Sequence, residues 1–529
     1  MSHKRKRDDS ESESDAEAEL KIVIAFDFAE GKTEEKCPTF VIVMIYAMDP
    51  ADSGGREIAY HGSGFTWGFQ IHDAVQRHQW FKLDLDPSQL EKIGLSQKYP
   101  DPLAAPPGYN YSPGKLTTDY MTALRKHAEH MLKHKLPASA LSSTPIEWIV
   151  TVPAVWSDKA RELTLACAKK AGMAQNELFI ISEPEAAAVY ALHKMKSLKI
   201  QKGDTFVLCD AGGGTVDCIT YTVESLAPVL EIVEATPGTG ALCGSSILNR
   251  RFQQFLEEKL GKDPNWDDDV LQQGTEVREI FEPVLDETVK LVTNQIEKSK
   301  KPIKAVILVG GFGQNTYLRE EIAKEIKHSS VSAEVIQPPD GWTAVVKGAL
   351  MKGLAVKLPS STKVKVSGRS ARKHYGTDCG HSFNEFEHPI SRRYWSSYHG
   401  SWRISLVNWF IKKGDTVKED EPVQLHRYRK SKIEDGPLRR VTSNILMSSD
   451  QNNAGVPKYK DCAEVQKLVS VNADLSRISP SLLPTKMGAD GAMYYIIKYK
   501  IQVTYHSADT VYELIHNDIN YGRVKAEYV

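Results

Sequence analysis

The stretch Leu208-Cys209-Asp210-Ala211-Gly212-Gly213-Gly214-Thr215-Val216-Asp217 limits what this chain can fold into more than any other. β-type residues from Thr205 to Leu208 lead into two carboxylates that bracket three glycines and a threonine. Glycines let backbone N–H groups turn toward a ligand and approach it closely, and an array of such amides makes a concavity suited to phosphate oxygens. Asp210 and Asp217 would then face a magnesium ion, which prefers oxygen ligands and keeps several waters. The plainer alternative is a glycine-rich hairpin turn with two solvated aspartates. The flanking strand and the paired acids favour the phosphate loop.

Other segments match it. The apolar run Ile146–Val152 reads as a strand and leads through Pro153 into a helical pattern over Asp158–Ala171, with Ser157 or Asp158 as N-cap. Phe179–Ser182 reads as a short strand, followed by the acidic corner Glu183-Pro184-Glu185 and an alanine-rich helix. Ala305–Val309 is a buried-strand run ending in Gly310, Gly311 and Gly313, with a helix predicted over about Thr316–Ile326. Asp340-Gly341 precedes an apolar helix through Leu350. This alternation of strand and helix predicts α/β architecture, with ligands beyond the carboxyl ends of the strands.

Together these segments resemble the actin-like ATPase superfamily. The likeness is greatest to the seventy-kilodalton heat-shock chaperone family, in the divergent branch found in fungi and related to the heat-shock protein A12 type. Good motifs cover roughly residues 20 to 357. The resemblance implies a two-lobed actin-like ATPase of ribonuclease H-like repeats, followed by a β-rich C-terminal domain. Lobe I is expected at 20–202 and lobe II at 203–357, shortened near 253–276. A linker at 358–373 and the β-rich domain at 374–529 follow, and a charged tail at 1–19 precedes. ATP or ADP with Mg2+ is the implied cofactor, with Gly212, Gly213, Gly214 and Thr215 on the phosphates. Asp210 and Asp217 would act near the metal and the attacking water, the latter through water. Glu183 would stand beside the phosphates and polarise that water. Gly244 falls in a second phosphate-side turn, and Gly310, Gly311 and Asp340 on the adenosine side. The plainer readings are an exposed strand-end acid for Glu183 and ordinary strand-to-helix turns for the glycines.

Two departures from the family pattern stand out. The first phosphate loop, D-x-G-T-T-x-S in the family, here reads Asp27-Phe28-Ala29-Glu30-Gly31-Lys32-Thr33. Asp27 remains as a catalytic candidate, but the Gly-Thr-Thr hairpin is gone and Glu30 places a negative charge near the γ-phosphate. Between Gln253 and Glu276 the chain is too short for the subdomain that walls the adenine pocket, and Gln314 replaces a base-stacking arginine. Phosphoryl transfer depends on several positioned groups at once, so impaired hydrolysis is expected.

Net charge is −1, so no global field draws nucleic acid or acidic membranes. Arg392-Arg393-Tyr394-Trp395 reads as amphipathic β-surface before a nucleic-acid contact, and His374, His381, His388 and His399 show no metal-ligand spacing. The longest apolar run, Phe40–Met48, is too short to span a bilayer. The seven cysteines are scattered and read as free thiols in a reducing compartment. The cytosol is the expected location. Lys4–Arg7 leaves nuclear import as an alternative to a solvated tail. After Lys357 the texture turns β-rich, with strands expected at Trp402–Ile411, Tyr494–Tyr505, Val511–Ile515 and Val524–Val529, and loop near 430 to 460. Unfolded peptides and co-chaperones are the implied partners. The rival readings are a non-catalytic scaffold that binds nucleotide weakly or not at all, and a metabolite kinase of the same superfamily. The long β-rich C-terminal region ranks the kinase lowest.

Overall fold

The computed structural model describes residues 21–27, 40–46, 58–62, 64–71, 75–86, 110–174, 178–195, 199–260, 274–329, 332–449 and 456–529. For 21–27 and 40–46 it describes the backbone alone. The charged tail 1–19, the loop Phe28–Thr33 and the acidic run 263–269 fall outside the described residues.

In chain order the main elements begin with β1 (Lys21–Asp27), β2 (Phe40–Tyr46), β3 (Ile58–His61), β4 (Gly64–Trp67), α1 (Pro113–Lys135), α2 (Ala138–Ser143), β5 (Ile146–Val152), α3 (Asp158–Ala168), β6 (Leu178–Ser182) and α4 (Glu183–Lys194). Then come β7 (Thr205–Ala211), β8 (Val216–Ser225), β9 (Leu230–Glu234), β10 (Thr239–Ala241), α5 (Ser245–Leu260), α6 (Gly274–Ser299), β11 (Ile303–Val309), α7 (Thr316–His328), β12 (Glu334–Ile336) and α8 (Ala344–Lys357). The rest is strand: β13 (Val364–Ser370), β14 (His374–Ser382), β15 (Arg393–Ser396), β16 (Ser401–Ile411), β17 (Thr416–Lys418), β18 (Val423–Lys432), β19 (Arg440–Ser448), β20 (Gln466–Asp474), β21 (Thr485–Met487), β22 (Met493–Tyr505), β23 (Thr510–His516), β24 (Ile519–Arg523) and β25 (Lys525–Tyr528).

The first sheet runs β2-β1-β5-β6, parallel throughout. The second runs β12-β11-β7-β8-β9-β13-β17. Its β7–β8–β9 meander is antiparallel, while β11 joins β7, and β13 joins β9, in parallel. Helices α4 and α8 lie between the two sheets, their apolar residues merging with those of β7, β8 and β11 in one core. The alanine run of α4 explains itself there. At Gly348 a Cβ would come within 1.7 Å of the Ala186 carbonyl oxygen, so the two backbones meet where neither carries bulk. Helix α3 starts where expected, with the Ser157 hydroxyl accepting from the Ala160 N–H at 3.2 Å. Helix α1 begins at Pro113, because proline at the first helical turn lacks only an N–H that has no partner there.

Beyond α8, β15-β16-β14-β19-β20-β25 and β18-β22-β23-β24 form two antiparallel sheets packed around a core of Leu425, Ile445, Val469, Ile501 and Leu514. Two expectations need correction. The stretch 358–373, read as a linker, contains β13, whose Val364 and Val366 are buried beside β9. The expected loop near 430 to 460 contains β19, whose Val441, Ser443 and Ile445 alternate inward. Polar residues at the alternate positions hid its period of two.

Candidate functional site

The glycine run is the turn of the β7–β8 hairpin. Asp210 sits opposite Asp217, and the Gly212 N–H donates to the Thr215 carbonyl at 3.0 Å. The hairpin is therefore real, but its aspartates are not solvated: Asp210 is 8% exposed and Asp217 2%. Among the described residues no acceptor pairs with the N–H groups of Gly213 and Gly214, both of which line a cavity.

That cavity is built from four strand ends. Strand β11 runs parallel to β7 with Val309 beside Asp210, so Gly310 and Gly311 turn away at the same edge. Gly310 has φ +83°, and a Cβ there would lie 2.4 Å from the Ala211 oxygen and 2.7 Å from Asp210 Oδ1. No other residue type fits both constraints. From the first sheet, β5 delivers Pro153 and β6 delivers Glu183, the first residue of α4. Glu183 is 7% exposed, so the reading of an exposed strand-end acid is overturned. Asp27 ends β1, next to β5, at the same carboxyl edge. β1 pairs with β2 in parallel, a connection that cannot be a tight hairpin.

One functional candidate escaped the sequence reading. Lys82 is buried, its Nζ donating to Glu183 Oε1 at 2.6 Å and lying 5.6 Å from the centroid of the Trp156 ring. The available signal was a single lysine enclosed by Trp80, Phe81, Leu83 and Leu85. Three expected residues stand away from the cavity wall, Asp217 among them: its Oδ1 lies 2.9 Å from where a Cβ on Gly240 would stand, on the β10 side of the hairpin. Asp340 adopts a left-handed conformation and turns a largely exposed carboxylate to Lys347 at 3.3 Å, while Trp342 and Val345 take the wall position. Gly244 backs the loop from behind: a Cβ would lie 2.2 Å from the Gly213 oxygen. The N–H groups of Gly244, Ser245 and Ser246 donate to the Gly214, Gly212 and Gly213 carbonyls at 3.3, 3.1 and 2.9 Å. The amides at the start of α5 are thereby spent on the loop.

Burial, reinforced by the charge of Glu183, pushes the Asp217 carboxyl up to about 7, against Thr215, Lys82 and Arg372. Its Oδ1 has no hydrogen-bond partner. A buried carboxylate oxygen without a donor is costly unless water or a cation takes it. Among the described residues no three His, Cys, Asp or Glu side chains gather to hold a metal by themselves. Mg2+ does not require that, since one or two carboxylates plus water and phosphate oxygens suffice. Asp210 and the free glycine amides at the cavity fit a Mg2+–phosphate group, with Asp217 behind them across the hairpin. The cavity itself is about 30 Å³, room for about one water.

The family described as "Hsp70 protein" matches residues 96–276. Human "Heat shock 70 kDa protein 12A" is 21% identical over 587 aligned positions, covering 86% of this chain and 81% of that protein. The chain carries a divergent Hsp70-family domain. Mouse "Heat shock 70 kDa protein 12A" is 24% identical, covering 44% of this chain and 41% of that protein. The "Chaperone protein HscA homolog" of Rickettsia rickettsii (strain Sheila Smith) is 26% identical, covering 48% and 42%. The chain thus spans about two fifths of the last two relatives. The two α/β sheets with their shared helix layer are the actin-like ATPase domain of the Hsp70 family, and the β-rich region follows it.

Proposed function

We propose that this Hsp70-family chain binds ATP or ADP with Mg2+ between lobes at 20–202 and 203–357, couples their closure to the C-terminal sandwich, and hydrolyses ATP poorly. The carrying observation is the Asp210 carboxylate and the unbonded Gly213 and Gly214 amides, all lining one cleft, with the unpartnered Asp217 Oδ1 behind them across the hairpin. Gly212, Gly213, Gly214 and Thr215 hold phosphate oxygens through backbone dipoles. Asp210 and Asp217 hold the metal, directly or through water. Mg2+ supplies charge neutralisation at the phosphates. Glu183 polarises water, and Lys82 holds its carboxylate in place across 2.6 Å. Gly310 and Gly311 let the nucleoside approach the backbone.

Poor hydrolysis is supported by the sequence after Asp27, where Ala29 and Glu30 stand in place of the family's Gly-Thr-Thr run, and by the parallel β1–β2 pairing, which excludes a hairpin joining these two strands directly. Only residues 261–273 separate α5 from α6, too few for a further subdomain over the base. A peptide-binding role for the sandwich is supported by exposed apolar groups around β15. Phe386 is 92% exposed, Ile390 stands near it, and Trp395 and Trp402 pair across strands with ring centroids 5.4 Å apart. Arg393 stacks 4.1 Å from the Trp402 ring centroid and Arg392 on Tyr459, so this basic cluster is engaged within the sandwich.

Calorimetric titration with Mg2+-ATP and Mg2+-ADP tests the reading. Saturable binding in the micromolar range or tighter, abolished by Asp210→Ala, supports it, and any turnover disappears in Glu183→Ala and Asp210→Ala. A folded sample that binds neither nucleotide establishes the scaffold alternative, which the 30 Å³ cavity and the engaged α5 amides favour.

A further inference from the structure

A second, wider cavity lies away from the cleft, where α3, the 235–240 loop, the end of α6, the end of β13 and the β16–β17 and β22–β23 turns converge. It measures about 840 Å³, within the range that holds small organic ligands. Its charge is one-sided. Arg161, Lys298, Arg369, Arg372, Lys373 and Lys413 line it, against the two carboxylates Asp158 and Asp509.

Of these cations only Arg369 is well neutralised, by Glu185 at 2.9 Å on two nitrogens. Arg161 donates to the Ala154 carbonyl at 2.8 Å and reaches Asp158 only at 3.8 Å. Arg372 reaches Glu234 only at 4.0 Å. The Nε atoms of both arginines and the Ser370 hydroxyl, all buried, have no hydrogen-bond partner. Lys298, Lys373 and Lys413 make no ion pair among the described residues. Lys413 and Lys298 come from different parts of the chain and repel, which together with burial lowers the Lys413 ammonium from its usual range. Like charges with unspent donors, gathered around a half-open cavity, are stabilised by an anion that bridges them. Tyr375, Tyr505 and Tyr512 supply an aromatic wall.

We infer that this junction cavity binds a small organic polyanion, bearing phosphate or several carboxylate groups, at a site separate from the cleft. Its occupancy ties helix α3 and the 235–240 loop to the sandwich, because Arg161, Arg372 and Lys413 belong to different layers of the fold.

The test is calorimetric titration of the full chain with inositol hexakisphosphate and, separately, citrate, at about 0.15 M salt to suppress diffuse attraction. Saturable binding of one molecule per chain is expected for at least one probe, and which one binds separates phosphate from carboxylate recognition. Lys298→Gln with Lys413→Gln weakens it at least about tenfold, as does Arg372→Gln. The two lysines make no ion pair, so their replacement leaves the circular dichroism unchanged; if it does not, Lys373→Gln serves in their place. Asp210→Ala leaves polyanion binding intact, which keeps this result independent of nucleotide binding at the cleft. No saturable heat with either probe overturns the inference. So does binding indifferent to all three substitutions, or binding lost in Asp210→Ala.

Discussion

Replacing Glu185 tests how helix α4 is joined to β13 of the second sheet. Its carboxylate is 1% exposed, receives both Arg369 Nε and Nη2 at 2.9 Å, and has Lys352 at 3.7 Å. Burial opposes its ionisation, but the Arg369 charge prevails and holds the carboxyl below its usual range. Glu185→Gln leaves the Arg369 guanidinium inside with one weaker partner, Glu419 at 3.5 Å. Removing one partner of a buried pair costs about 3–5 kcal/mol because the other charge stays uncompensated. Glu419 takes up part of that charge, so about 3 kcal/mol is expected for Glu185→Gln. Arg369→Met leaves the glutamate with Lys352 and the Ser507 hydroxyl, and about 4 kcal/mol is expected. The double variant, Glu185→Gln with Arg369→Met, removes the pair together and costs well under the sum, with a coupling of about 2–3 kcal/mol. Urea unfolding followed by tryptophan fluorescence and circular dichroism reads this out. The chain has several layers, so each transition is fitted separately. Single variants costing under about 1 kcal/mol, or simple additivity in the double, would refute the buried-pair argument.

Three further outcomes are expected. Gly310→Ala places a methyl group 2.4 Å from the Ala211 oxygen at φ +83°. It costs at least about 2 kcal/mol and weakens nucleotide binding, and unchanged stability and calorimetry count against the cleft geometry. Lys82→Met leaves Glu183 buried without its ammonium and costs about 3–5 kcal/mol, which thermal and urea unfolding measure. Glu419 is partly buried, but a His506 hydrogen bond at 2.7 Å and the Lys352 and Arg369 charges hold its carboxyl at about 2. Its folded value lies below the ordinary 4.5, so its contribution is present above about pH 4.5 and is lost as pH falls toward 2. Partial exposure limits this to about 1 kcal/mol, and Glu419→Gln should remove that much of the acid slope in an unfolding series over this range.

Local pattern made much of the fold legible. β5 was readable from its unbroken apolar run, and the start of α3 from Ser157 ahead of a helical period. Asp210 and Asp217 could be matched as a pair because a four-residue turn between strands sets their register. Strand β13 escaped because it owes its place to β9, more than a hundred residues earlier, and not to its own composition. Asp340 was misplaced for a related reason: the turn after β12 is polar, but which of its side chains faces inward depends on how α8 packs.

By itself the sequence determined the strand–glycine–strand hairpin, the alternation that commits the ATPase region to α/β layers, and the β-rich texture that follows. Those signals depend on neighbours a few residues apart, where backbone preference and hydrophobic period act directly. Tertiary structure alone decided that Lys82 meets Glu183 across 101 positions and Glu185 meets Arg369 across 184. It also gathered Arg161, Arg372 and Lys413 around one cavity. Charge pairing at such separations carries no period and no local propensity; it exists only once packing has excluded water and brought distant side chains within hydrogen-bonding reach.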